Sequence, residues 1–220
     1  MLICVMSTME TKMSKRSSVK FQQILTWLMT EVMFGKTHYG IVRGLGRRDR
    51  EALAAFRTAP RFFDMTLDAH ADSAQMTVAR IYDRTSAPSI HKLFSSALRE
   101  AGTFRHGTVT DVQKAVQESK AIIKAIEPTL AAIRTRRNQT MAHLDARPFA
   151  DPAGYVSAGM VSYRQLDELF ERTSEILNRF SLLYRGATVP LLLEDAKDYE
   201  RAIDLLAAAA SKFSQAAGST

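Results

Sequence analysis

Between Val109 and Ile133 the apolar side chains fall on a strict rhythm. Val109, Val112, Val116, Ser119, Ile123, Ile126, Leu130 and Ile133 are separated alternately by three and four residues, and Ser119 is the one polar member. An α-helix returns side chains to one face at that interval, and a seam this long has to be buried against other helices. A strand would need alternation at every second residue, and no segment of the chain alternates convincingly in that way. The fold class read from the sequence is therefore all-α.

The same rhythm recurs on both sides of the seam. Phe21, Ile24, Leu25, Leu28, Met29, Val32 and Met33 predict a helix from Ser18 to about Phe34. Gly35, Gly40, Gly44 and Gly46 then predict a loop with a short helical piece, and Arg48 to Ala59 is a short amphipathic candidate. Pro60 opens a helix that Phe63, Leu67, His70, Ala74, Val78 and Ile81 carry to Asp83. Thr85 to Ser89 reads as a turn, with Ser89 capping a helix through Ala101 that Gly102 ends. Pro128 predicts a kink in the long seam or two abutting helices, and Pro148, Pro152, Gly154 and Gly159 predict a loop. Leu166, Leu169, Phe170, Thr173, Ile176, Leu177, Phe180 and Leu183 mark another helix, and an alanine-rich one spans about Leu193 to Phe213. The expected organisation is one helical domain over 18–220 behind a flexible segment, 1–17.

Composition narrows the setting. With 220 residues, 46% hydrophobic and 16 glycines and prolines together, the chain is neither collagenous, low-complexity nor wholly disordered. Cys4 is the only cysteine, which excludes an internal disulfide and a paired-cysteine zinc site and suits a reducing cytoplasm. Met1 to Met6 is apolar but lacks a basic leader, and methionines at 9 and 13 offer alternative starts. The longest later apolar run, Leu205 to Ala210, is far below the roughly 18 residues of a membrane span, so a soluble protein is expected. The net charge of +7 is uneven: residues 1–147 carry 23 Lys and Arg against 13 Asp and Glu, residues 148–220 carry 7 against 10. A basic excess concentrated in one part of the chain favours a polyanionic partner such as a nucleic acid.

Four residues beyond Ile133 the seam reaches Arg137, a guanidinium where the pattern calls for an apolar side chain. Such a residue either meets a carboxylate, faces a cleft that holds an anion, or snorkels its head to solvent. Arg134, Arg136, Arg137 and Arg147 cluster around Asn138, Gln139, His143 and Asp145, and no acid lies between Glu127 and Asp145. His143 can exchange a proton near neutral pH. A base beside a phosphate clamp is the minimal equipment for RNA cleavage, in which the ribose 2′-hydroxyl attacks the adjacent phosphorus without need of a metal. On a regular helix Arg137 and His143 lie about 120° apart, whereas Arg136 and His143 share a face, so Arg136 is a second candidate. Asp83, at the end of the Phe63 stripe, is a candidate to pair with Arg137 or Arg136 and hold it.

Other motifs carry less. Gly35-Lys36-Thr37 lacks the earlier glycine and the preceding strand of a P-loop, and no HExxH spacing supports zinc. His70 lies on an apolar stripe and reads as a hydrogen-bonded core histidine rather than a ligand. No cofactor and no metal is expected.

The run RNQTMAHLD, from Arg137 through His143 to Asp145, resembles the arginine, polar residue, spacer and histidine motif of the HEPN superfamily, and its five intervening residues lie within the motif's range. The upstream stretch RFFDMTLDAHADSAQMTVARIYDRTSAPSIHKLF is similar to the AbiU-type abortive-infection branch, and the likeness covers about residues 20–185. This resemblance implies a HEPN-like antiparallel helical bundle with additional N- and C-terminal helices. It also implies a homodimer that joins two Arg and His motifs into a metal-independent endoribonuclease of a phage-defence or toxin system. Arg137 would then contact the scissile phosphate, Asn138 support it, and His143 move protons. RNA and an antitoxin are the partners implied. Toxins of a related branch carry a tyrosine two residues after the histidine as the target of nucleotidyl modification; Asp145 stands there instead, which argues against that route of regulation. The rival readings are a helical module that binds RNA or a nucleotide without cutting, and a structural partner protein in which Arg137 is tied to an internal carboxylate.

Overall fold

The computed structural model describes residues 2–46, 56–85, 88–138, 161–191 and 198–217. Among them every regular element is helical, as the seams require: α1 (Leu2–Gly46), α2 (Pro60–Ile81), α3 (Ile90–Glu100), α4 (Val109–Arg136), α5 (Tyr163–Arg185) and α6 (Asp198–Ala217), with a 3-10 turn over Ala101–Thr103. The expected loop at 148–159 and most of the amphipathic candidate at 48–59 lie outside the described residues.

The chain forms two compact units, residues 1–32 with 76–191, and residues 33–75 with 192–220. In the first, α4 and α5 are the principal packing pair. His106 N–H donates to the Leu183 carbonyl at 3.1 Å, and farther along Arg179 meets Glu118 at 2.7 Å. Advancing along α4 therefore means retreating along α5, and the pair is antiparallel. Val112, Val116, Ser119, Ile126, Leu130 and Ile133 are buried on one side, Leu169, Phe170, Thr173, Ile176, Leu177 and Phe180 on the other. The first residue of the seam, Val109, is 48% exposed. Phe21 of α1 sits among Phe104, Tyr184 and Phe180, with ring centroids 4.8, 5.0 and 6.4 Å away. Burying these faces is the main stabilising contribution, at roughly 1.5–3 kcal/mol for each large side chain removed from water.

Helix ends follow local chemistry. Thr108 and Asp111 form a reciprocal capping box at the start of α4, and Ser162 with Gln165 does the same for α5. Ser89 caps α3 by accepting from Lys92 N–H, where the sequence placed it. Gly186 closes α5 in the left-handed conformation, φ 75°, and a Cβ there would lie 2.7 Å from the His106 ring.

One expectation changes and one alternative is excluded. α1 runs on to Gly46 instead of ending near Phe34. The glycines do not interrupt it because the seam continues through them: Leu28, Val32, Gly35, Tyr39, Val42 and Leu45 are all buried at helical spacing. Of the two alternatives at Pro128, the abutting helices are excluded: α4 is a single helix with the proline inside it. Pro128 and Lys124 are both exposed, so the carbonyl left without its helical donor can turn to water. α6 is described from Asp198, and the expected start near Leu193 lies outside the described residues.

In the second unit, Tyr39, Val42, Leu45 and Phe63 are buried. Gly44 lets Tyr199 of α6 approach α1, since a Cβ at that position would collide with the ring. His70 is half-buried and hydrogen-bonded as expected of it, its Nδ1 lying 2.7 Å from Nδ1 of His38.

Candidate functional site

The last turn of α4 carries the arginine cluster. Ile133 is 2% exposed, and one turn later Arg137 occupies the same side of the helix. Its backbone N–H bonds to the carbonyls of both Ile133 and Arg134, after which the helix widens into a π turn at Arg137 and Asn138. Arg137 keeps α-region dihedrals, φ −55° and ψ −48°, as the helix passes into that turn. His143, Asp145 and Arg147 lie outside the described residues.

Arg137 meets the carboxylate that the sequence offered as a partner. Its Nη1 donates to Asp83 Oδ2 at 3.0 Å and its Nε donates to Asn138 Oδ1 at 3.1 Å. The side chains are 27% and 25% exposed, so the pair stands at the edge of the core. These contacts use two of the five N–H donors of the guanidinium fork.

Asp83 is itself fixed from behind. The turn after α2 folds back so that Thr85 donates its backbone N–H at 2.9 Å and its hydroxyl at 2.8 Å to Asp83 Oδ1. The Thr85 amide and hydroxyl, together with the Arg137 guanidinium, hold the Asp83 carboxyl below the usual carboxylate range. Tyr82, the preceding residue, anchors the turn to α5: its buried hydroxyl lies 2.8 Å from Thr173 Oγ1, and burial pushes its pKa up. Asp83 is thereby placed by two neighbouring residues, one bonded to the turn and one sunk in the core.

The acid-free run in the sequence is not free of acids in space. Arg134 pairs with Glu127, seven residues back along α4, and Arg137 pairs with Asp83 from another element. Arg136 is half-buried. Of the six residues singled out, Asp83, Arg137 and Asn138 are brought into direct contact.

One histidine near this turn was not singled out. His91 lies in the first turn of α3. Burial first, then Arg84, pull its pKa below the usual histidine value. It was legible only as the residue after a capped helix start, because nothing in linear order connects it with residues 127–137.

Among the described residues no three His, Cys, Asp or Glu side chains converge as a metal site would need, and no helix is long and apolar enough to cross a membrane. Residues 18–204 match the family model described as AbiU2, of the HEPN type. No curated protein and no solved structure matches the chain.

Proposed function

Because this chain belongs to the AbiU2 family of HEPN modules, we propose that it is a metal-independent endoribonuclease of a phage-defence or toxin system. In this reading a homodimer pairs Arg137 and His143 of one copy with those of the other, and the protein acts in the cytoplasm under the control of an antitoxin. The supporting observation is the arginine that interrupts the α4 seam: it is steered by Asp83 and Asn138 and still reaches solvent. A guanidinium oriented in advance can donate to the non-bridging oxygens of a phosphodiester as charge builds on them, without reorganising at the moment of reaction. In this reading His143, six positions after Arg137 in the sequence, is the proton carrier, and Arg136 and Asp145 are supporting residues.

The experiment is cleavage of single-stranded RNA by the full chain in the presence of a chelator, with His143→Ala and Arg137→Gln beside it. Cleavage that disappears in both variants while RNA binding survives in His143→Ala supports the proposal. Absence of cleavage by the unmodified protein on every RNA tested refutes it. Sedimentation of the same samples tests the dimer.

The Asp83–Arg137 ion pair also favours a second reading, a helical module that holds RNA or a nucleotide without cutting, because a carboxylate beside the arginine moderates its pull on phosphate. RNA binding without cleavage, with RNA affinity increased by Asp83→Ala, would select it.

A further inference from the structure

Helix α2 carries two apolar rows, and only one of them packs against its own chain. Phe63 and Ala74 are buried, with Leu67 and His70 half-buried between them. Phe62, Met65 and Ala69 recur at the same intervals of three and four, about 140° around the helix from that row. Phe62 is 62% exposed and Met65 72%, and Ala69 is exposed as well. Single apolar residues at a surface are ordinary, but a phenylalanine and a methionine side by side on one stripe mark a contact surface.

We propose that this stripe is a homotypic interface, in which α2 of one copy packs antiparallel against α2 of a second copy about a two-fold axis passing between Asp64 and Met65. The inference does not depend on the ribonuclease reading. The stripe belongs to the second compact unit, whereas Asp83 and Arg137 belong to the first.

Charge identifies the occupant. Arg61 and Asp68 flank the stripe on one side, seven residues apart and nearly in line along the helix, and both are exposed. Among the described residues neither has an ion-pair partner. The proposed axis lies midway between positions 61 and 68, so Arg61 of each copy stands opposite Asp68 of the other, and the pair forms twice. A parallel arrangement would set arginine against arginine and aspartate against aspartate. The charges therefore select the antiparallel one.

The apolar side chains fit the same alignment. Phe62 comes opposite position 67, the gap between Met65 and Ala69 of the other copy, and Ala69 comes opposite position 60, beside the other Phe62. Knobs meet holes on both sides of the axis. Phe62 is already held for this contact: its ring meets that of buried Phe63 edge-on, with centroids 5.3 Å apart. The neighbouring Thr66 hydroxyl donates back to the Phe62 carbonyl at 2.7 Å, so it brings no unsatisfied donor to the interface. An isologous contact of this kind closes at two copies. A stripe of about two and a half turns is short of a standard-size interface, so the association is reversible, with a Kd of about 1–100 μM.

Sedimentation equilibrium of the full chain tests the contact. The readout is the association step that Met65→Glu removes: monomer to dimer, or dimer to tetramer if the Arg137 contact also holds. Arg61→Asp and Asp68→Arg should each weaken that step by about tenfold or more, because each sets like charges face to face twice. The two substitutions together in one chain should restore it to within about threefold of wild type, and an equimolar mixture of the two single variants should associate more tightly than either alone. A wild-type chain that shows no such step up to about 500 μM leaves the stripe to a different partner and overturns the proposal. Single reversals that change nothing, or a double exchange that restores nothing, overturn it too. A dimer that persists in Met65→Glu and dissociates in Arg137→Gln, with no further association in wild type, overturns this contact and leaves the ribonuclease reading standing. Absence of RNA cleavage defeats that reading without touching this one. Should Met65→Glu fail to fold, the charge exchange between two exposed positions decides alone.

Discussion

Replacing Asp83 by asparagine tests how Arg137 is held. In the native turn the two carboxylate oxygens are divided: Oδ1 accepts both bonds from Thr85, and Oδ2 accepts from Arg137. Asparagine has one oxygen. If it stays with Thr85, the amide NH2 is turned toward the guanidinium, donor against donor, and the contact is lost. The ion pair stands between the surface limit of about 0.2–1 kcal/mol and the buried limit of about 3–5 kcal/mol, because both side chains are roughly one quarter exposed. A double-mutant cycle of Asp83→Asn with Arg137→Gln, followed by urea unfolding, should give a coupling energy of about 1 kcal/mol at pH 7. The folded-state pKa of Asp83 is depressed, so this stabilisation is present above the unfolded value of about 3.9 and is lost as pH falls through the lower folded value. The coupling should therefore be equal at pH 7 and pH 5 and fade only in stronger acid. A coupling under about 0.3 kcal/mol at pH 7, within ordinary additivity error, or one already lost at pH 5, refutes this account of the pair. If Asp83 positions the arginine for RNA cleavage, the same substitution lowers kcat more than it raises KM.

Other substitutions test the scaffold beneath the site. Gly186→Ala forces a Cβ into the left-handed region and against the His106 ring, and should cost about 1–2 kcal/mol in chemical denaturation. Ser162→Ala removes the α5 cap and should cost about 1 kcal/mol, with Ser162→Gly closer to neutral. Tyr82→Phe removes a buried hydroxyl but leaves Thr173 donating to the Leu169 carbonyl at 2.6 Å, so about 1 kcal/mol is expected rather than the larger cost of an orphaned donor. Ile133→Ala opens the seam one turn before Arg137 and should cost about 2–5 kcal/mol.

What could be read in the sequence was whatever repeats at short range. The seams of α4 and α5, the Ser89 cap and the helical start at Pro60 each depend on residues a few positions apart, and the structure has them in place. The stretch from Gly35 to Gly46 was misread because glycine was counted as a breaker, although each glycine in a helix costs only about 1 kcal/mol and burial of Tyr39, Val42 and Leu45 offsets it. Contacts between elements were harder. Asp83 and Arg137 are 54 residues apart, and they were matched only because an arginine in an apolar seam demands an acceptor. His91 created no such demand, since a histidine after a helix cap breaks no local rule. The pairing of Arg134 with Glu127 was less visible: seven residues put the two on one face of the helix, but at two turns apart only extended rotamers let them meet.

The position of Arg137 weighs against the purely structural rival. A leucine four residues beyond Ile133 would continue the seam, and hydrophobic replacements of ion pairs are often neutral or stabilising. An ion pair a quarter open to solvent contributes too little to explain a guanidinium there by stability alone. A surface charge, on the other hand, would not need Thr85 and Asn138 to fix the orientation of its partner and itself. Orientation without full burial is what a transient anionic ligand requires: donors aimed in advance, with room left for its oxygens. Arg137→Leu separates the two uses. If the arginine serves only the fold, the variant keeps its RNA-directed activity and is at least as stable; if it serves phosphate, melting stays near wild type while cleavage is lost.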